Sequence, residues 1–470
     1  MFRLLTPALA CCLLVSPTLG GTLIPDSLAR RNGMTRAWFT QVQVNPSRNR
    51  VESVTLHGDT LVALTSAGVV HAIDALTGQT IWVNRIGNPA YPSLGPGVGV
   101  NRVALINGST LYVLDRRDGS VELSRPIGGA PGGGPALTAE FAFIPLIGGR
   151  VEGFPLPIRR TGQEQQGERK FEEDQWRPDW GYGSLGRIFR SAVATSQSVM
   201  WSTDRSSLFV AAANGEGVRF RFDTDAPVVA PVAVRSPLVY AGSVGGKLYA
   251  VDELSGVQAW RYSAGFSIRQ SPVVIGNTVI VGTDEPALHA IDAQKGARLW
   301  VSPGAARFVA ASQERVYGLS DLGDLLVMDL KTGAVQARAR NRGLNTAVLN
   351  DQTDRLYIYS DDGLLQCFHE LGADEPYYHQ PKPAAEEPAA NEDDPEAAPE
   401  PMEEPADPFG AGPAADPFGA GDGGADPFGA GDEPADDPFG SDAPADDPFG
   451  SGAPAEDPFG SSGDDEDPFG

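Results

Sequence analysis

From residue 36 to residue 370 the chain is a succession of short apolar runs, rich in Val, Leu, Tyr and Ala, broken by Gly, Asn, Asp and Ser. Runs of this kind are too short for helices and match β-strands joined by tight turns. The stretch SPLVYAGSVGGKLYAVDELSGVQAWRYSAG at 236–265 holds three of them. The pattern also repeats: HAIDALTGQTIW at 71–82 returns as HAIDAQKGARLW at 289–300. Self-similarity at a fixed period must be read before any single residue is given a chemical role.

Five copies carry an Asp followed four residues later by a Gly: Asp74 and Gly78, Asp115 and Gly119, Asp252 and Gly256, Asp292 and Gly296, Asp329 and Gly333. Degenerate copies put Pro155, Ala212 and His369 at the Asp position, so eight anchors follow at spacings of 41, 40, 57, 40, 40, 37 and 40 residues. The Asp carboxylate is suited to accept backbone N–H groups two residues on and hold a turn. The Gly suits a positive φ that a Cβ would penalise. Trp82, Trp260 and Trp300 each lie eight residues after their Asp, where they begin an outer strand and cover the seam between repeats. The last repeat lacks this strand, and AWFTQVQV at 37–44 supplies a match for it, with Trp38 as the fourth seam residue. End-to-end closure of this kind removes exposed sheet edges. The expected fold is all-β: an eight-bladed β-propeller over 36–370, closed by an N-terminal strand, with an irregular insertion at about 157–190.

The Asp, Thr-Gly and Trp pattern, clearest over Asp74–Trp82, resembles the pyrroloquinoline-quinone-type (PQQ-like, WD-like) propeller repeat. Catalytic members imply a vicinal Cys–Cys disulfide, acidic and amide ligands to Ca²⁺, and an Asp base. No Cys pair exists beyond residue 12, and no carboxylate set has calcium-loop spacing. His71 and His289 stand where other repeats place Tyr112, Tyr249 and Leu326, which marks a packing position. No phosphate loop, Ser elbow or zinc motif occurs. The expectation is therefore no enzyme, no cofactor and no metal. The implied kinship is with the non-catalytic scaffold propellers of outer-membrane β-barrel assembly, the BamB type. A quinone-dependent oxidoreductase or ligand-sensing propeller is the alternative.

The ends add localisation and partners. MFRLLTPALACCLLVSPTLGG reads as an export signal cleaved after Gly20, with a lipid-modified Cys11 as the rival, so a periplasmic or cell-envelope protein is expected. Any membrane association would come through a partner or that lipid. Cys367 is then alone and reads as a buried thiol. The net charge of −25 belongs to the tail: residues 371–470 hold 28 acidic side chains and one Lys, leaving the remainder at +2. The folded part gives no electrostatic case for nucleic acid, and a monomer is expected. From about residue 380 the Pro, Ala, Asp, Glu and Gly composition reads as a disordered tail of low complexity. Within it DPFG recurs seven times, with Phe409, Phe418, Phe428, Phe439, Phe449, Phe459 and Phe469. These suit weak multivalent docking to protein partners, or a repeat-expanded spacer. Trp176, Trp180 and Tyr182 in FEEDQWRPDWGYG are candidate partner contacts, or rings folded back onto the propeller.

Overall fold

A computed structural model describes residues 23–157, 178–340 and 346–380. All of these lie in one compact unit, Met1–Asn391; a second, Glu392–Gly470, is outside the described residues. The described residues form eight four-stranded antiparallel sheets. We number these blades 1 to 8 in chain order and call the strands of each A to D. The A strands of neighbouring blades approach one another and line the axis, as where Ser53 Oγ donates to Gly95 O at 3.2 Å. Seven blades are contiguous in sequence, and the eighth takes strands A to C from 346–370 and strand D from Met34–Gln41. The chain is therefore an eight-bladed β-propeller closed by its N-terminal strand, as the repeat predicts.

Strand patterning explains how the blades stack. B and C strands are buried along nearly their whole length, as in Thr60–Thr65 and Val69–Asp74, because successive side chains enter the two seams on either side. D strands alternate, as Thr80–Arg85 does, with Trp82 buried and its neighbours exposed. Among the described residues the buried apolar side chains fall into eight clusters, one per seam. The ring thus has no common core, and each blade is held by its two neighbours.

Register is the same in every blade. The residue two before the Asp position pairs with one D-strand position: Ala72 with Trp82, Val113 with Leu123, Gly153 with Trp180, Val210 with Phe220, Ala250 with Trp260, Ala290 with Trp300, Val327 with Ala337, and Cys367 with Trp38. At four of these the indole Nε1–H crosses to the next blade, donating to the carbonyl one residue after its Asp: Trp38 to Ala75, Trp82 to Arg116, Trp260 to Ala293 and Trp300 to Leu330, at 2.7–3.1 Å. Each Asp holds the turn that presents this carbonyl. Asp74 Oδ1 accepts N–H bonds from Leu76 at 3.0 Å and Thr77 at 2.7 Å; Asp252, Asp292 and Asp329 repeat the pair, and Asp115 accepts from Arg117 at 2.6 Å.

Gly78 closes the motif. Its φ is +73°, and a Cβ there would stand 2.5 Å from the Trp38 ring, so the indole lies directly on bare backbone. Gly119, Gly256, Gly296 and Gly333 sit in the same way over Trp82, Phe220, Trp260 and Trp300. Burying an aromatic ring in this manner contributes roughly 2–3 kcal/mol per seam.

Two features depart from the plain repeat. Strand D of blade 3 is Trp180–Gly183, drawn from within the stretch expected to be irregular; alternation across Trp180, Gly181 and Tyr182 puts both rings on one face. A helix, Asp26–Arg31, precedes the closing strand and buries Ala29 beside the seam of blades 7 and 8, where strand D offers Ala337 and Ala339 instead of aromatic rings. At six residues it is too short to persist unaided and depends on that packing.

The A–B and C–D turns of blades 1 and 2 are tied by Arg116, which donates to His57 O at 2.9 Å and pairs with Asp59 at 2.7 Å. Burial, and then the Arg116 guanidinium, push the His57 imidazole down to about 4, against an opposing pull from Asp59.

Two outcomes follow from these contacts. Gly78→Ala meets both the left-handed backbone and the Trp38 ring, so it should cost roughly 2–4 kcal/mol in chemical denaturation. An unchanged midpoint would show the seam to be slack. His57 binds its proton more weakly folded than unfolded, so its contribution is complete above about pH 6.5 and is lost as pH falls toward 4. The urea midpoint should decline across that window, and less steeply in His57→Gln; parallel declines would exclude His57 as the cause.

Candidate interaction surface

The two ends of the ring differ. One carries the A–B and C–D turns and is crossed by the chain's own segment after strand C of blade 8. There Arg355 donates to Ala373 O at 2.8 Å and to Asp374 O at 2.6 Å, and His379 N–H donates to Gln352 O at 2.9 Å. The His379 ring reaches Ala311 O of blade 7 at 2.8 Å, and Arg235 of blade 5 approaches His379 O at 3.4 Å. The opposite end carries the B–C turns and the connections from each blade to the next.

Both ends expose apolar side chains, Val100 and Leu254 among them at the first; at the opposite end they stand in connections between blades. Leu185 (70 %) and Phe189 (51 %) lie in the connection from blade 3 to blade 4, and Phe266 (50 %) in that from blade 5 to blade 6. Arg187, Arg190 and Arg269 are interleaved with them. Arg187 backbone N–H donates to Asp204 at 2.7 Å and Arg190 Nε to Val229 O at 2.6 Å, which ties this connection down; Ile188 between the two arginines is buried, while Leu185 and Phe189 face outward.

The arc is continuous from blade to blade. Val244 N–H donates to Pro227 O, and Ile268 N–H to Ser243 O. At its centre Asp225 accepts from Ser243 and Tyr249, both at 2.8 Å, and pairs with Lys247 at 3.0 Å. Burial alone would raise the Asp225 carboxyl; those three partners hold it below the usual carboxylate range. Exposed Phe beside Arg is a pairing that interfaces favour over the rest of a protein surface, and loops already held by hydrogen bonds lose little entropy on docking.

The residues singled out from sequence fall elsewhere. Trp180 occupies the seam position of blade 3, edge-on to Trp201 at 6.2 Å, and Tyr182 packs against Trp201 and Phe209. Of the two readings weighed for them, these contacts match rings packed on the propeller. Trp176 and the seven DPFG phenylalanines lie outside the described residues. The exposed arc was not singled out, since Leu185, Phe189 and Phe266 lack any motif. They sit in connections that escape the repeat, and that is the only sequence signal they carry.

Among the described residues no donor set of the kind a quinone–calcium centre needs is brought together. Cys367 is the one cysteine among the described residues; it is buried, and burial pushes its thiol up to about 12. No group of three or more His, Cys, Asp or Glu able to hold a metal occurs among the described residues. His289 bonds Tyr262 at 2.9 Å, and His71 Nε2 is buried without a partner. Burial pushes both imidazoles down.

Comparison with known proteins gives one family. The sequence profile of the family described as outer membrane protein assembly factor BamB matches residues 29–154 and 169–369. No curated protein matches the chain. Among solved structures, BamB from Moraxella catarrhalis superposes with a TM-score of 0.54 at 15 % identity, covering 72 % of this chain and 99 % of that one. The computationally designed Ika8 protein gives 0.53 at 13 % identity, with 70 % and 98 % covered. The C-terminal WD40 domain of Sif2 gives 0.51 at 11 % identity, with 72 % and 99 % covered. At these identities the superpositions speak for the fold alone.

Proposed function

The chain belongs to the family of the outer membrane protein assembly factor BamB, and on that premise we propose that it is an exported, non-catalytic scaffold that docks a protein partner of the cell envelope. The observation that carries this reading is the arc of Leu185, Phe189 and Phe266 with interleaved arginines on the end of the ring opposite the one that residues 371–380 cross. The export pattern at residues 1–20 supports an envelope location. Among the described residues no helix is long and apolar enough to cross a membrane, which leaves β-barrel spans unaddressed. The role within outer-membrane protein assembly is taken from the family's description and is part of the proposal.

Capture of outer-membrane assembly components from envelope extract, with the full chain as bait, tests it. Leu185→Asp with Phe189→Asp should reduce capture by at least about tenfold, as expected when two charges are buried unpaired in a docked surface, while the melting temperature stays unchanged. Undiminished capture would move the docking surface elsewhere. Dye reduction by the chain with added pyrroloquinoline quinone and Ca²⁺ would overturn the non-catalytic reading.

A further inference from the structure

The seam between blades 7 and 8 is built unlike its neighbours. Ala337 and Ala339 stand at positions held by Trp260 and Tyr262 in blade 5, Phe220 and Phe222 in blade 4, and Trp180 and Tyr182 in blade 3. The helix Asp26–Arg31 fills only part of the space that the missing rings leave. What remains is a groove of about 220 Å³, walled by Leu28, Met34, Leu325, Ile358 and Phe368, with Arg340 at its side. An apolar cavity of about 150 Å³ is already enough to hold a benzene ring.

Charge around the groove is basic. Arg30 and Arg31 are exposed in the last turn of the helix and Arg340 lines the wall, whereas Asp26 is offset by Arg36 at 2.7 Å. Its complement is an aromatic ring on an acidic strand. The chain contains that chemistry seven times, since each of Phe409 to Phe469 follows an Asp-Pro pair in a segment of strongly negative charge.

We propose that this groove takes the phenylalanine of an Asp-Pro-Phe-Gly segment from a second copy of the chain. The ring enters where the seam lacks its own aromatic residue, the Asp faces the arginines, and Arg340 lies against the ring face. Valence points to association between copies: one groove per propeller meets seven motifs, so most motifs remain free to engage further propellers. Individually weak contacts then add through linkage. The result is a reversible self-associating scaffold in place of the monomer expected from sequence.

Sedimentation velocity of the full chain between about 1 and about 100 μM tests this, the range in which weak multivalent contacts should appear. The average mass should at least double across the range and fall back at high salt, since the charge pairing is screened. Replacing all seven phenylalanines, Phe409 to Phe469, by Ala should leave a monomer. So should Ala339→Tyr, which restores an aromatic residue to the seam and fills the groove, with a melting temperature no lower than that of the parent. If Ala339→Tyr melts early, Leu28→Glu on the groove-facing side of the helix takes its place. A chain that stays monomeric at every concentration overturns the proposal, including the case in which a motif of the same chain occupies the groove. Self-association that survives both the phenylalanine and the groove substitutions also overturns it.

Discussion

The ring stands on an indole lying against bare backbone. Trp38 rests on Gly78, Trp82 on Gly119, Trp260 on Gly296 and Trp300 on Gly333, and each Nε1–H bonds the carbonyl that the next blade's Asp turn presents. Three requirements meet there: a carboxylate to hold the turn, a residue without a Cβ, and a ring wide enough to span the gap. None of them is useful alone, which is why Asp, Gly and Trp recur together at fixed separations. In those four seams the contact ties the D strand of one blade to the C–D turn of the next.

Closure extends this logic to the ends of the sheet series. Trp38 pairs with Cys367 in the same register that Trp82 keeps with Ala72, so the N-terminal strand completes blade 8 as an ordinary strand D. A closed ring has fixed loops at both ends. At one end the chain's own segment spans from Arg355 to Arg235, and at the other Leu185, Phe189 and Phe266 are held outward on bonded backbone. Rigidity is thus the link from the seam to the proposed docking surface, because partner side chains meet a surface that is already ordered.

The sequence was most legible where physics repeats. Blade number, strand order and N-terminal closure follow from a pattern copied eight times, in which each copy corrects the reading of the others. It was least legible where one position carries no repeat partner. Phe220 keeps the eight-residue offset from its anchor Ala212 but carries no Trp to mark it, and Trp180 lies 25 residues after Pro155, where the insertion breaks the offset. The helix Asp26–Arg31 has no side-chain N-cap and forms for lack of aromatic rings at Ala337 and Ala339, a cause more than 300 residues away in sequence. The exposed arc is likewise a property of separate connections held in one arc, and neither is unusual when read singly.

The claim on which everything else rests is that eight seams, one of them closed by the N-terminal strand, make a single ring. Thermal unfolding of a chain lacking residues 34–41, with and without the added peptide MTRAWFTQ, measures it most directly. A midpoint lower by at least about 5 °C, recovered in part by the peptide, is the predicted result for a strand that seals one seam of a ring. An unchanged midpoint without the peptide would contradict it, and would mean that the ring does not depend on its closing strand.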